Sequence, residues 1–167
     1  MGYTTDFWGH FTVTPELKQE HADYINRFSD TRRMKRDASI LLNFEDPARE
    51  AVGLPIGEEG AYYVGDSEFR GQGRDASIVD YNRPPYGQPG LWCQWVIGEG
   101  GGTIEWDGGE KFYEYVDWLH YLIEHFLKPW GYAVNGEVRW CGEDDEDRGT
   151  IVAVGNEVST RLAQIIW

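Results

Sequence analysis

Four cations, Arg32, Arg33, Lys35 and Arg36, fall within five consecutive positions of a chain that holds only fifteen lysines and arginines. Guanidinium forks match carboxylate and phosphate geometry, which makes this run a candidate site for an anion or an acidic partner. The run also lies just beyond a predicted helix end, where positive charge complements the helix dipole, so it has a purely structural reading too. A second candidate is the stretch Tyr81 to Trp95. There a proline loop carrying Asn82 and Arg83 precedes a strand-like segment in which Trp92 and Gln94 share a face. A stacking wall beside an amide is what a ligand groove offers, and a core tryptophan is the alternative. The candidate ligand-binding residues are therefore Arg32, Arg33, Lys35, Arg36, Asn82, Arg83, Trp92 and Gln94, with a pocket under the loop 31–90.

Other patterns fail on context or spacing. Gly71 to Ala76 has the letters of a dinucleotide fingerprint, but that chemistry needs a strand before it and a helix opening on the phosphate. Here a short strand follows, and Pro84-Pro85 stops any helix, so turn glycines are expected. His120 and His125 are five apart, so on a helix they diverge by about 140° and do not share one zinc ion. With Glu110, Glu114, Asp117 and Glu124, His120 reads as a solvated stripe. Glu143 to Asp147 does not combine a Gly at position six with a Glu at twelve, as a calcium loop requires. It is expected to be an acidic hairpin tip, which also deters edge pairing, or a weak open cation site. No metal and no cofactor is expected, and no catalytic residue is assigned.

Composition bounds the rest. A chain of 167 residues makes one domain, 1–167, large enough to hold together without metals or disulfides. Eight Trp, ten Tyr and seven Phe make it rich in rings and exclude disorder. A net charge of −14 repels a phosphate backbone, which argues against general nucleic-acid binding and favours a protein partner with a basic surface, though charge alone also keeps a protein soluble. Apolar runs such as Ala61 to Val64 are far short of the ~20 residues of a membrane span, so no membrane contact is expected. Cys93 and Cys141 read as free thiols of a reducing compartment, and no leader pattern opens the chain, which places it in the cytoplasm. The oligomeric state is left open.

The elements that must position these residues follow from periodicity. Phe7 to Val13 alternates as a half-buried strand, and Pro15 to Ser29 has helical spacing. Leu91 to Ile97 and Thr103 to Asp107 form a hairpin across Gly98 to Gly102. Glu110 to Lys128 is a second helix with Phe112, Val116, Leu119, Ile123 and Phe126 on its buried face. Ala133 to Cys141 and Gly149 to Val154 form a second hairpin, and Glu157 to Trp167 adds a strand. The expected fold class is α+β, a mainly antiparallel sheet with two helices packed on one face and a long loop insertion.

The opening Met1 to Phe7, the Thr31 to Arg36 run, Asn82 to Pro85 through Gln94-Trp95, Trp106 to Tyr113, and Asn135 to Glu137 with Gly142 to Asp144 resemble a family of small, uncharacterised acidic proteins of bacteria and their phages. The likeness spans nearly the whole chain. It implies no activity and carries no catalytic residue over. The phage association adds, by analogy, a host-directed binding role. The expected function is a non-catalytic cytoplasmic protein-interaction domain, of a phage type that engages a basic host partner. The alternative is a small-ligand protein or enzyme that takes a nucleotide or other anion under the 31–90 loop.

Overall fold

The computed structural model describes residues 2–65 and 73–163. The chain divides into two compact units, one of Met1–Leu17 with Gln94–Trp167 and one of Lys18–Cys93. Among the described residues it is a mixed α+β protein, with eight strands mainly in one antiparallel sheet and four α-helices. No helix of the described residues is long and apolar enough to cross a membrane. Gly71 and Gln72 of the glycine motif, and 164–167 of the last predicted strand, lie outside the described residues.

The first unit is built on β1 (Thr5–Thr14), whose alternation of Phe7, Phe11 and Val13 with Asp6, Trp8, His10 and Thr12 sorts buried from exposed side chains. It pairs over ten positions with β6 (Ala133–Gly142), from Thr5 opposite Gly142 to Thr14 opposite Ala133. With β4 (Trp95–Ile97), β5 (Thr103–Trp106), β7 (Arg148–Val154) and β8 (Glu157–Leu162) the sheet runs β4-β5-β1-β6-β7-β8, every pairing antiparallel. Its inner face carries Phe7, Phe11, Val138, Trp140, Ile151 and Ala153, all buried. Phe7 meets Trp95, Trp106 and Tyr115 edge-on, with centroids 5.5, 5.2 and 4.9 Å away. Such pairs add roughly 0.5–1.5 kcal/mol each beyond the area they bury.

Three boundaries differ from expectation. The second predicted helix is shorter: α4 spans Tyr115–Leu122 and passes into a π-helical turn at Ile123–Leu127. Residues 110–114 stay irregular because Lys111 and Glu114 take left-handed backbone, and the Gln94 side chain donates to the Glu110 carbonyl. On the predicted face Phe112, Leu119, Ile123 and Phe126 are buried, and Val116 is half-buried. The first predicted helix starts at Gln19 rather than Pro15, because the Leu17 amide donates to the Gly101 carbonyl instead of entering a helical turn. Residues 91–94 are not strand: the Leu91 carbonyl accepts from Arg33 N at 2.8 Å, and the Gln94 carbonyl from Asp107 N at 3.0 Å.

The second unit holds α1 (Gln19–Ser29), β2 (Lys35–Arg36), α2 (Ala38–Leu41), α3 (Pro47–Ala51), a 3₁₀ turn at Glu58–Gly60, and β3 (Ile78–Asp80), which pairs antiparallel with β2. Asp37 caps α2 by accepting from Ser39 N. Tyr24, Ile25, Phe28, Met34, Leu41 and Val64 form its apolar core. With so little regular structure, polar clasps carry the loops. Asp46, buried, accepts from Arg49 Nε at 2.6 Å and from Gly65 N at 2.8 Å. Burial pushes this carboxyl up, against the pull of those donors.

Candidate functional site

The basic run is turned inward. Arg33 is 2% exposed; its Nη1 donates to Tyr63 O at 2.9 Å, its Nη2 to Ala61 O at 2.8 Å and its Nε to Gln88 Oε1 at 3.4 Å. The guanidinium also lies 4.1 Å over the Phe28 ring. A buried guanidinium is tolerable only where its donors find acceptors, and here neutral carbonyls and an amide supply them. Arg36, also buried, donates to Asp75 Oδ2 at 3.0 Å and to Ser77 Oγ at 2.7 Å. Burial would raise the Asp75 carboxyl, but hydrogen bonds from Ser77 and the Arg36 pair outweigh it and hold Asp75 below the ordinary range. Lys35 pairs with Glu59 at 2.6 Å.

Arg32, Tyr81 and Asn82 come together. Arg32 stacks 4.2 Å from the Tyr81 centroid and donates to Tyr81 O at 3.1 Å and Asn82 Oδ1 at 3.3 Å. Arg83 is the candidate cation that faces water, its side chain 78% exposed and its Nε 3.5 Å from Asp80 Oδ2. Trp92 is half-buried in this same unit, whereas Gln94 belongs to the other. There Gln94 Nε2 donates to Glu110 O at 2.8 Å and Oε1 accepts from Trp106 Nε1 at 3.1 Å, so both ends of the amide are engaged.

In the first unit a different arrangement stands out, at the end of the sheet where Thr5 pairs with Gly142. That register lays the chain start beside the β6–β7 turn. Tyr3 Oη donates to Asp147 Oδ2 at 2.7 Å and accepts from Asp144 N at 3.1 Å. Trp140 Nε1 donates to Asp147 Oδ1 at 3.0 Å, and Thr4 N to Glu143 Oε1 at 2.7 Å. Tyr3 N donates to Tyr113 Oη at 3.0 Å, which brings the segment before α4 to the same place. Glu143 and Asp147 are thus held beside two exposed rings, while Asp145, 97% exposed, and Glu146 reach into solvent.

The electrostatics of this face follow from its crowding. Glu114 shares a hydrogen bond with Asp117, which, with burial and the Asp117 charge, raises its carboxyl above the ordinary value. Burial first, then Asp147, Tyr3 and Glu114, push the Tyr115 phenol up to about 12. The cations at its margin are Lys111, whose side chain lies against Gly2, and Arg148, whose Nε donates to Asp145 O at 2.7 Å. Carboxylates and ring faces in one place are suited to guanidinium and ammonium groups.

Sequence reasoning found the acidic tip but missed Tyr3, Tyr113, Glu114 and Asp117 as its companions. The antiparallel register between β1 and β6 could have signalled Tyr3 alone; Tyr113, Glu114 and Asp117 arrive with the segment around the start of α4, through the Tyr3 N to Tyr113 Oη bond. Among the described residues no three His, Cys, Asp or Glu are placed to hold a metal ion, and neither buried Cys93 nor half-buried Cys141 forms a disulfide. His125 lies stacked on Tyr121 at 4.0 Å, with partial burial lowering its pKa, and both it and His120 are exposed. Comparison with family models, with the curated proteins and with the solved structures finds no match to this chain.

Proposed function

We propose that this protein is a non-catalytic, cytoplasmic protein-interaction domain that engages a basic partner through the acidic and aromatic face at the β6–β7 turn. The observation that carries the reading is that Glu143, Asp144 and Asp147 are held by hydrogen bonds beside exposed Tyr3 and Tyr113, with Asp145 and Glu146 exposed between them, reinforced by Glu114 and Asp117. Preorganised carboxylates lose little entropy when a partner's lysines or arginines arrive. The net charge of −14 adds long-range steering toward a positive surface.

Calorimetric titration with arginine- and lysine-rich peptides at low and moderate salt tests this. Glu146→Gln with Glu114→Gln should weaken binding at least tenfold and flatten its salt dependence. A matched control neutralises Glu16 and Glu99, exposed acids at the other end of β1, roughly 30 Å away at about 3.3 Å per residue. Equal losses in both variants would mean that net charge alone binds the peptides, and the reading would fail.

A further inference from the structure

The outer face of the sheet carries a second feature, of opposite charge. Antiparallel register places Trp8 opposite Arg139 and Arg139 opposite Thr150, while Cys141 stands opposite Asp6 on one side and Arg148 on the other. Alternation turns Trp8, Arg139, Cys141, Arg148 and Thr150 to the same side. Side chains directly opposite have Cβ atoms about 4.5–5.5 Å apart, and diagonal ones stay within reach of long side chains. These residues, with Gly149, line an open cleft of about 470 Å³. Trp8 is 51% exposed there.

Three observations point to a ligand. No carboxylate is among the described residues that line the cleft, in a chain of twenty-nine acids. Of the neighbouring acids, Glu137 accepts from Arg161 Nη2 at 2.7 Å, and Asp6 stands opposite Cys141, two strands from Arg148. Arg148 gives Nε to the Asp145 carbonyl, but its Nη2 stands 4.0 Å from the Asp145 carboxylate. Second, Trp8 lines it with its indole half exposed, which gives the cleft a flat apolar wall. Third, the volume falls in the range of about 300–1,000 Å³ typical of small-ligand sites.

We infer that this cleft binds a small organic anion that carries a flat aromatic ring, a nucleoside monophosphate being its representative, with Trp8 against the ring and Arg139 and Arg148 on the anionic group. An exposed indole gains by stacking on a flat ring. Two guanidinium groups on adjacent strands match a phosphate or carboxylate, which a lone exposed charge would hold only weakly. The surrounding acidity disfavours a long polyanion and leaves a mononucleotide-sized ligand as the one that fits. This inference goes beyond the acidic face: Trp8 and Arg139 take no part in that face, and Arg148 borders both.

The test is calorimetry of the whole chain with adenosine 5′-monophosphate, an aromatic carboxylate, adenosine, inorganic phosphate and a single-stranded oligonucleotide. A ring-bearing anion should bind one to one, with adenosine and inorganic phosphate each at least tenfold weaker. Trp8→Ala and Arg139→Ala should each weaken it at least tenfold, with Trp8→Phe retaining most of the affinity and the melting temperature of Arg139→Ala unchanged. Arg139→Ala keeps the test decisive should Trp8→Ala fail to fold. No binding of either ring-bearing anion at millimolar concentration would overturn the inference. So would phosphate or adenosine binding equally well, the oligonucleotide binding more tightly, or Arg139→Ala binding as the wild type does.

Discussion

Arginines serve opposite ends in the two units of this protein. In the unit 18–93, Arg33 and Arg36 are buried and hold loops together, donating to Tyr63, Ala61 and Gln88 in one case and to Asp75 and Ser77 in the other. In the sheet unit, Arg139, Arg148 and Arg161 stand on an exposed face. The unit 18–93 has few long strands or helices to satisfy its backbone, so its loop carbonyls need side-chain donors. The sheet unit has a six-stranded ladder that satisfies its own backbone and leaves its arginines on the surface, Arg161 on Glu137 and Arg148 on the Asp145 carbonyl. Which role an arginine takes is set by whether its neighbourhood lacks donors, not by how many cations adjoin it in the chain.

The sharpest way to break this contrast is Arg33→Ala. It removes the donors to Tyr63 O and Gln88 Oε1 and leaves a void under Phe28, and should cost about 2–5 kcal/mol, read by chemical denaturation. A loss below 1 kcal/mol would mean that the loop 60–63 does not depend on it. Next, Asp75→Asn leaves Arg36 buried with a weakened partner, and should cost about 1–3 kcal/mol near neutrality. Because the folded carboxyl sits below its ordinary 3.8, its contribution is present above that value and lost as pH falls through the folded pKa. The wild type should therefore lose stability toward acid more steeply than the variant. Equal slopes would remove the ion pair from the balance.

Smaller effects are expected in the sheet unit. Tyr3→Phe removes the bonds to Asp147 and Asp144 and should cost about 0.5–1.5 kcal/mol while loosening the β6–β7 turn, measurable as faster amide exchange at Asp144. Arg139→Ala, and in the other unit Arg83→Ala, both at exposed positions, should each change stability by less than about 0.5 kcal/mol in thermal unfolding. A large loss in Arg139→Ala would make it structural and bring the two units closer in kind.

Local periodicity in the sequence was enough to read β1, the β6–β7 hairpin, the buried face of α4 and the acidic tip at Glu143 to Asp147. Each depends on side chains a few positions apart, and burial sorts them by a period of two or near 3.6. Even the exposure of Trp8 is legible, since it falls in phase with His10 and Thr12 against Phe7 and Phe11. The fate of the 31–36 cations was not legible, because Arg33 finds its acceptors about thirty residues or more away and Arg36 finds Asp75 at a separation of 39. The acidic face depends on Tyr3 reaching Asp147, 144 positions on, through the register of β1 with β6. Local pattern decides which side of an element a residue faces; only long-range pairing decides what waits on that side, because hydrogen bonds and charges are settled by partners that chain order does not place together.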